Sequence, residues 1–297
     1  MEITASLVKE LRDKTGAGMM DCKKALVATN GDIALAIDWL REKGIAKAEK
    51  KASRIAAEGV AKIVIDGNKA TVFELNCETD FVANNEKFTT LVDLVGNIIS
   101  KSHVSTTEAA LEIESNGKTV NTLLLEAVSG IGEHIGLRNV EIIQKTDAQV
   151  FGSYSHMGGK IVSLAVLNGS DVETAKDVAM HVAAMNPRYL SSNDISADVL
   201  AHERQVLTNE ALNENAESAK PKPEAIIAKM VEGRLNKNMK EICLVYQPFV
   251  KNPDLSVEAF VKSKGGTIAS FKRLAVGEGV EKKQDDFAAE VASMQGK

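Results

Sequence analysis

The stretch GVAKIVIDGNKATVFELNCETDFVANN, residues 59–85, decides the fold. Two runs rich in Val, Ile and Phe, 60–65 and 70–76, flank Asp66-Gly67-Asn68. A DG step between such runs is a strong hairpin signal, because the tight turns that join antiparallel strands need positive φ. A polar elbow follows, in which Asp80 is succeeded at once by Phe81. Beyond it, Phe88, Leu91, Val92, Val95 and Ile99 recur at helical spacing and predict a helix over 86–100. The pattern is strand, strand, helix. Phe81 stands apart from it, in a chain with only 4% aromatic residues. Burial statistics favour a Phe packed beneath its own helix. The other reading is a wedge, since binding residues concentrate on short loops held by rigid scaffolds. The residues alone leave both open.

The same order recurs further along. VFGSYSHMGGKIVSLAVLNGSD, residues 150–171, offers strands at 150–156 and 160–166 around a Gly-rich turn, and an apolar helix is predicted over 172–185. A helix near 120–130 and a strand at 140–144 complete the first unit. A helix, a turn and a strand at 268–276 complete the second. Two similar α+β halves are the economical interpretation, each an antiparallel sheet carrying helices on one face. Between the second unit's parts lies an insertion rich in Ala, Glu and Lys. It predicts one helix over 198–213, with Val199, Leu200, Val206 and Leu212, and another over 224–235, with Ile226, Ile227, Met230 and Val231. Pro221 and Pro223 interrupt helix between them, so the pair reads as an antiparallel helical hairpin.

Ahead of the first strand, the opening 45 residues predict three short helices. Thr4 caps the first, TGAG at 15–18 ends it, and NGD at 30–32 separates the second from a third that closes at Gly44. A bundle this small has a limited core and a useful outer face. Residues 43–54, KGIAKAEKKASR, are basic and lack an apolar stripe, which reads as a solvated helix or linker. Met19 and Met20 are neighbours about 100° apart on a helix, so at least one is partly exposed, as suits an adaptable protein-binding surface.

Composition narrows the function classes. At 297 residues the chain is long enough for two or three domains. Its formal net charge of −5 argues against direct nucleic-acid binding, which usually needs a net basic face. No apolar run is long enough to span a bilayer, and the charged N-terminus does not read as a secretory signal. Three cysteines without a CxxC pair read as reduced thiols of a cytoplasmic protein. The five histidines show no metal-ligand spacing, and no nucleotide-cradle or hydrolase motif occurs, so neither metal, cofactor nor catalytic residue is expected. His156 in its Gly-rich turn reads first as solvent-facing. Cys77 reads as packed on the sheet and not as a nucleophile.

Seven blocks then resemble one family. EITASLVKELRDKTGAGMMDCKKAL at 2–26 looks like the opening of bacterial translation elongation factor Ts, and NCETDFV at 76–82 is similar to that family's central signature. GSYSHMGGKI, AMHVAA, KMVEGRL, QPFVKNP and VGEGVEKKQDDFAAEVASM follow in the family's order. The resemblance implies a guanine-nucleotide exchange factor for elongation factor Tu, a binding protein without covalent chemistry, acting in protein biosynthesis. It implies a three-helix module similar to ubiquitin-associated domains with its basic linker (1–54). A core subdomain N (55–147) and a core subdomain C (148–188 and 242–278) follow. A hairpin arm (189–241) and a C-terminal helical module (279–297) complete the division. Arg12, Met19 and Met20 stand at the positions that contact the GTPase, and His156 at the contact with another of its domains. Thr79, Asp80, Phe81 and Val82 stand where the elbow intrudes beside the nucleotide and disturbs Mg²⁺ coordination. The partner is elongation factor Tu, GDP-bound or nucleotide-free, and a dimer of heterodimers is one assembly the resemblance admits. Asn84 departs from the family, which often carries a basic residue there, and the hairpin joint is longer than usual. Without the resemblance, a protein-binding adaptor and a Cys77-dependent enzyme remain open.

Overall fold

A computed structural model describes residues 3–218 and 220–280, so the C-terminal module expected at 279–297 lies outside the described residues from 281 onward. The chain is α+β, and its described residues form two compact units. The first holds those up to Gln144, Met157–Ile161 and those from Leu274 on; the second holds Lys145–His156 and Val162–Arg273.

The first unit opens with α1 (Ala5–Thr15), α2 (Met19–Ala28) and α3 (Ile33–Lys51). The Thr4 hydroxyl accepts the Leu7 N–H at 3.3 Å, satisfying one donor that an unfinished first turn leaves open. Val8, Leu11, Cys22, Ala25, Leu26 and Ala36 form a small core of their own. The third helix does not close at Gly44. It continues to Lys51, because Gly44 here is a close-approach residue: a Cβ at that position would lie 2.9 Å from Ser129 Oγ. Of the two readings of the basic stretch, solvated helix or linker, it is helix as far as residue 51, though not wholly solvated, since Ala48 within it is buried in the core of the following sheet.

That sheet pairs β1 (Glu58–Asp66) with β2 (Lys69–Cys77) in the expected antiparallel hairpin, Asp66 opposite Lys69. After β2 come α4 (Asp80–Ala83), α5 (Glu86–Ser100), α6 (Thr107–Leu111), a short ladder of β3 (Glu114–Ser115) and β4 (Lys118–Thr119), and α7 (Val120–Ile131). The third strand, β5 (Gly136–Gln144), starts four residues earlier than periodicity predicts and lies antiparallel on the other edge of β2. The order β1-β2-β5 places β2 centrally, and it is buried from Ala70 to Cys77. Phe73, Leu75, Phe88, Val92, Val95, Leu124, Val128 and Leu137 share one core, so sheet, α5 and α7 bury apolar faces together. Glu74 is wholly buried in that central strand. A carboxylate there must be compensated, and it takes hydrogen bonds from Asn139 Nδ2 at 3.0 Å and the Gly277 N–H at 3.1 Å, with the Arg138 guanidinium 3.1 Å away.

The second unit contains β6 (Gln149–His156), β7 (Ile161–Asn168), α8 (Val172–Met185), α9 (Ala197–Ala216) and α10 (Glu224–Ile242). A short β8 (Pro248–Phe249) and β9 (Asn252–Ser256), α11 (Val257–Ser263) and β10 (Thr267–Ala275) follow. The sheet order is β10-β7-β6, with the first residue of β7 and the last two of β10 counted in the first unit. Leu167, Val178, Val182, Leu244, Phe249, Val257 and Val261 form its core. The pair α9 and α10 closes on a seam that the prediction matches in part, through Ile227 and Val231 of α10 and the partly buried Leu200 of α9. Leu207, Ala211, Ile227, Val231, Leu235 and Met239 are buried, whereas Val199, Val206, Leu212 and Ile226 face outward. Two helices share a single seam, so only residues three or four apart on each helix can enter it.

His181 ties α8 to the chain after α10. Its Nε2 lies 2.9 Å from Gln247 Oε1, its Nδ1 accepts the Val250 N–H at 3.2 Å, and Gln247 Nε2 donates to the Glu241 carbonyl at 2.6 Å. Those partners select the neutral ring with its proton on Nε2; a second proton on Nδ1 would face an N–H. Burial accordingly holds the imidazole below its ordinary value of 6.5. The unfolded chain then takes up the proton first, so this contribution to stability is complete above about pH 6.5 and is lost as pH falls toward the folded value. We expect NMR titration to place the His181 midpoint below 6.5, and the urea midpoint of the unfolding step to fall from pH 7.5 to 5.5. His181→Gln is expected to weaken that pH dependence, and an unchanged slope would contradict the assignment.

Candidate functional site

The hairpin ends at Cys77, and two residues later the chain turns into the single helical turn α4. Thr79 caps it, its hydroxyl accepting the Val82 N–H at 3.3 Å. Successive residues on that turn point about 100° apart. Ala83 is buried, Val82 packs partly against the first unit's core, and Asp80 and Phe81 face solvent. Phe81 is 85% exposed. The core reading that burial statistics favour is thus overturned. On the single turn α4 the inward positions belong to Val82 and Ala83, and beneath the next helix the buried aromatic is Phe88.

The base of the elbow is held by two exchanged carboxylates. Glu133 Oε2 accepts the N–H groups of Glu78 and Thr79, both at 3.0 Å, and its Oε1 accepts the Thr79 hydroxyl proton at 2.6 Å. Glu78 Oε1 in turn accepts the His134 N–H at 2.7 Å and lies 3.3 Å from Arg54. The antiparallel register, with Asn76 opposite Gly136, brings residues 133–134 alongside 78–79. Sequence reasoning assigned Glu133 and His134 no role. The signal available was an acid just beyond a helix-ending glycine, but only the β2–β5 register shows what it faces.

Cys77 is buried, its thiol donating to the Thr79 carbonyl at 3.2 Å. Burial, helped by the nearby Glu133 carboxylate, pushes that thiol up to about 12. It stays protonated at neutral pH and is no nucleophile. Among the described residues no cluster of three or more His, Cys, Asp or Glu side chains could hold a metal ion. No helix among them is long and apolar enough to cross a membrane.

The remaining predicted contact residues lie elsewhere. Met19 and Met20 are both exposed, at 57% and 64%, because Cys22, Ala25 and Leu26 supply the buried stripe of α2 and leave neither methionine a place in it. Arg12 is exposed near the end of α1. His156 is an exposed residue at the end of β6, its ring stacked 6.2 Å from that of Tyr154. The four elbow residues are therefore contiguous in the first unit, Arg12, Met19 and Met20 belong to that unit's N-terminal helices, and His156 belongs to the second unit.

A family model described as elongation factor Ts matches residues 78–278, from the base of the elbow to just past the last strand. The chain belongs to the elongation factor Ts family. It is thereby a nucleotide exchange factor for elongation factor Tu in translation elongation. An elongation factor Ts does not need a nucleophile or a metal cradle of its own, since exchange breaks no covalent bond. What it needs is a surface that binds the GTPase more tightly without nucleotide than with it.

Proposed function

We propose that the Thr79–Val82 elbow is the part of this exchange factor that ejects GDP, by intruding beside the nucleotide site of elongation factor Tu and disturbing the coordination of its Mg²⁺. The observation that carries this reading is Phe81, a large apolar side chain exposed on a turn whose base is stapled to the sheet. Its burial in an apolar cleft of the partner would supply roughly 1.5–3 kcal/mol, of the order of an interface hot spot. That energy offsets the cost of separating the partner's elements and displacing its ligands. Asp80, exposed beside it, brings a carboxylate toward the metal and phosphates. By linkage, whatever ratio the factor takes from nucleotide affinity, bound nucleotide takes from the factor's affinity. Incoming GTP then expels the wedge.

In the same reading the division proposed from the resemblance assigns the work. The three-helix module, similar to ubiquitin-associated domains, docks on the GTPase domain through Arg12, Met19 and Met20. Core subdomain C holds a second partner domain near His156, the hairpin is an arm, and the tail embraces the GTPase domain again. Both GDP-bound and nucleotide-free partner are substrates of docking, and the mass of the complex distinguishes one copy of each protein from two. Release of a fluorescent GDP analogue from purified elongation factor Tu tests the whole reading: the chain should accelerate it strongly, and an unchanged release rate would remove the proposal. For docking, Met19→Ala and Met20→Ala are each expected to raise the dissociation constant roughly tenfold, about 1.4 kcal/mol, with the saturating exchange rate held within about twofold. Both side chains are exposed in the free chain, so folding is spared. Equal association constants would contradict a docking role.

A further inference from the structure

We infer that Glu133 is a positioning residue for exchange, holding the elbow rigid so that insertion of Phe81 strains the partner and not the elbow itself; this rests on the wedge reading above. A wedge transmits force only if its base does not yield. α4 is one turn long, and a single turn has almost no stability of its own. Its internal ties are the Thr79 cap, the Ala83 N–H to the Thr79 carbonyl at 3.2 Å, the Asn84 N–H and side-chain amide to the Asp80 carbonyl at 3.1 and 2.8 Å, and the Asn85 N–H to the Val82 carbonyl at 2.9 Å. Val82 and Ala83 pack the turn against the first unit's core, and its polar tie is the Glu133 carboxylate, on which three donors converge from two consecutive residues.

Bonds to an ionised carboxylate are the strong kind, and these lie in a half-buried site. The Thr79 hydroxyl does two jobs at once, donating to Glu133 and accepting from Val82. Its rotor is therefore set by Glu133, and the cap depends on a carboxylate that is 54 positions away in sequence. Without that carboxylate, the Glu78 and Thr79 N–H groups lose their acceptor and the hydroxyl is free to rotate off the cap. The tie is reciprocal, because Glu78 holds the His134 N–H and so fixes the loop that carries Glu133.

Stimulated release of a fluorescent GDP analogue from elongation factor Tu, followed against concentration of the full chain, separates positioning from docking. Glu133→Ala is expected to lower the saturating rate about tenfold while the half-saturating concentration moves less than about twofold. Glu133→Gln, whose amide oxygen still accepts both N–H groups, should return to within about threefold of the unmodified chain. Combined with Phe81→Ala, Glu133→Ala should add less than about twofold, since a truncated wedge has nothing left to position. Amide exchange in the isolated chain should quicken at Glu78 and Thr79 in Glu133→Ala and not in the strands behind them. The inference fails if Glu133→Ala exchanges within twofold of the unmodified chain, if the two losses multiply, or if the half-saturating concentration carries the effect. Should the Ala variant not fold, Glu133→Gln decides: a folded Gln variant with protected amides but a tenfold slower rate also overturns it. Loss of rate in Phe81→Ala without loss in Glu133→Ala defeats this inference alone, whereas an inert Phe81→Ala defeats the wedge reading beneath it.

Discussion

Phe81→Ala is expected to slow stimulated GDP release at least about tenfold, equivalent to about 1.4 kcal/mol at the barrier, and to leave the thermal midpoint of the free chain where it was. The two halves of that expectation come from one number. A side chain that is 85% exposed contributes little to its own fold, so its removal opens no cavity, and whatever it contributes must be collected on the partner. The effect belongs in the saturating rate as well as in association, because a wedge acts on the complex after docking. Release of a fluorescent GDP analogue at saturating exchange factor, beside a melting curve of the free variant, checks both. A variant that melts early would mean that Phe81 supports the first unit. A variant that exchanges normally would mean that the exposed ring is idle and that another surface ejects the nucleotide.

Gly152→Ala carries the largest expected loss of stability. A Cβ there would lie 2.0 Å from the Ala175 carbonyl carbon and 2.1 Å from the Lys176 nitrogen, so the backbone of α8 rests directly on β6 at this glycine. Flexible side-chain ends can swing aside, but helix backbone cannot, and Ala175 and Val178 are already fully buried. Overpacking against backbone should cost about 3 kcal/mol or more, lowering the midpoint of the second unit by roughly 6–12 °C. Gly265→Ala, also in the second unit, serves as the contrast. Gly265 has φ 78° and at its Cβ position only an ordinary 3.7 Å contact with the Gly169 carbonyl oxygen, so only the left-handed conformation is penalised, by roughly 1–2 kcal/mol. Differential scanning calorimetry of the two variants distinguishes them, and equal midpoints would show that α8 and β6 separate easily.

The hairpin and the helix after it were legible at 59–100 because their signals are local: a DG turn, β-branched runs and a 3.6-residue stripe that lies on α5 as predicted. Local pattern failed where the deciding contact is remote. Gly44 reads as a helix end because glycine usually ends helices; Ser129, 85 positions later, makes it a close-approach residue inside one. On α9 and α10, Ile227 and Val231 were named and are buried, but Leu207, Ala211, Leu235 and Met239 were not, and Val199, Val206, Leu212 and Ile226 face outward, since both helices carry more apolar positions than one seam can hold. The elbow lies between these cases. Its residues and its place between strand and helix were readable, and the family blocks named it. Its exposure was not, because a lone Phe at a junction has no periodicity to betray its side.

By itself the sequence determined the order of the longer strands and helices, though not the short α4, α6, β3, β4, β8 and β9, together with the turn chemistry that separates them and the family, since each of these is carried by neighbouring residues or by blocks in order. Tertiary structure alone decided that Phe81 points outward and that Glu133 accepts three hydrogen bonds at the base of the elbow. Each of those depends on which segments the strand register brings together, and register is settled by packing between residues far apart in the chain.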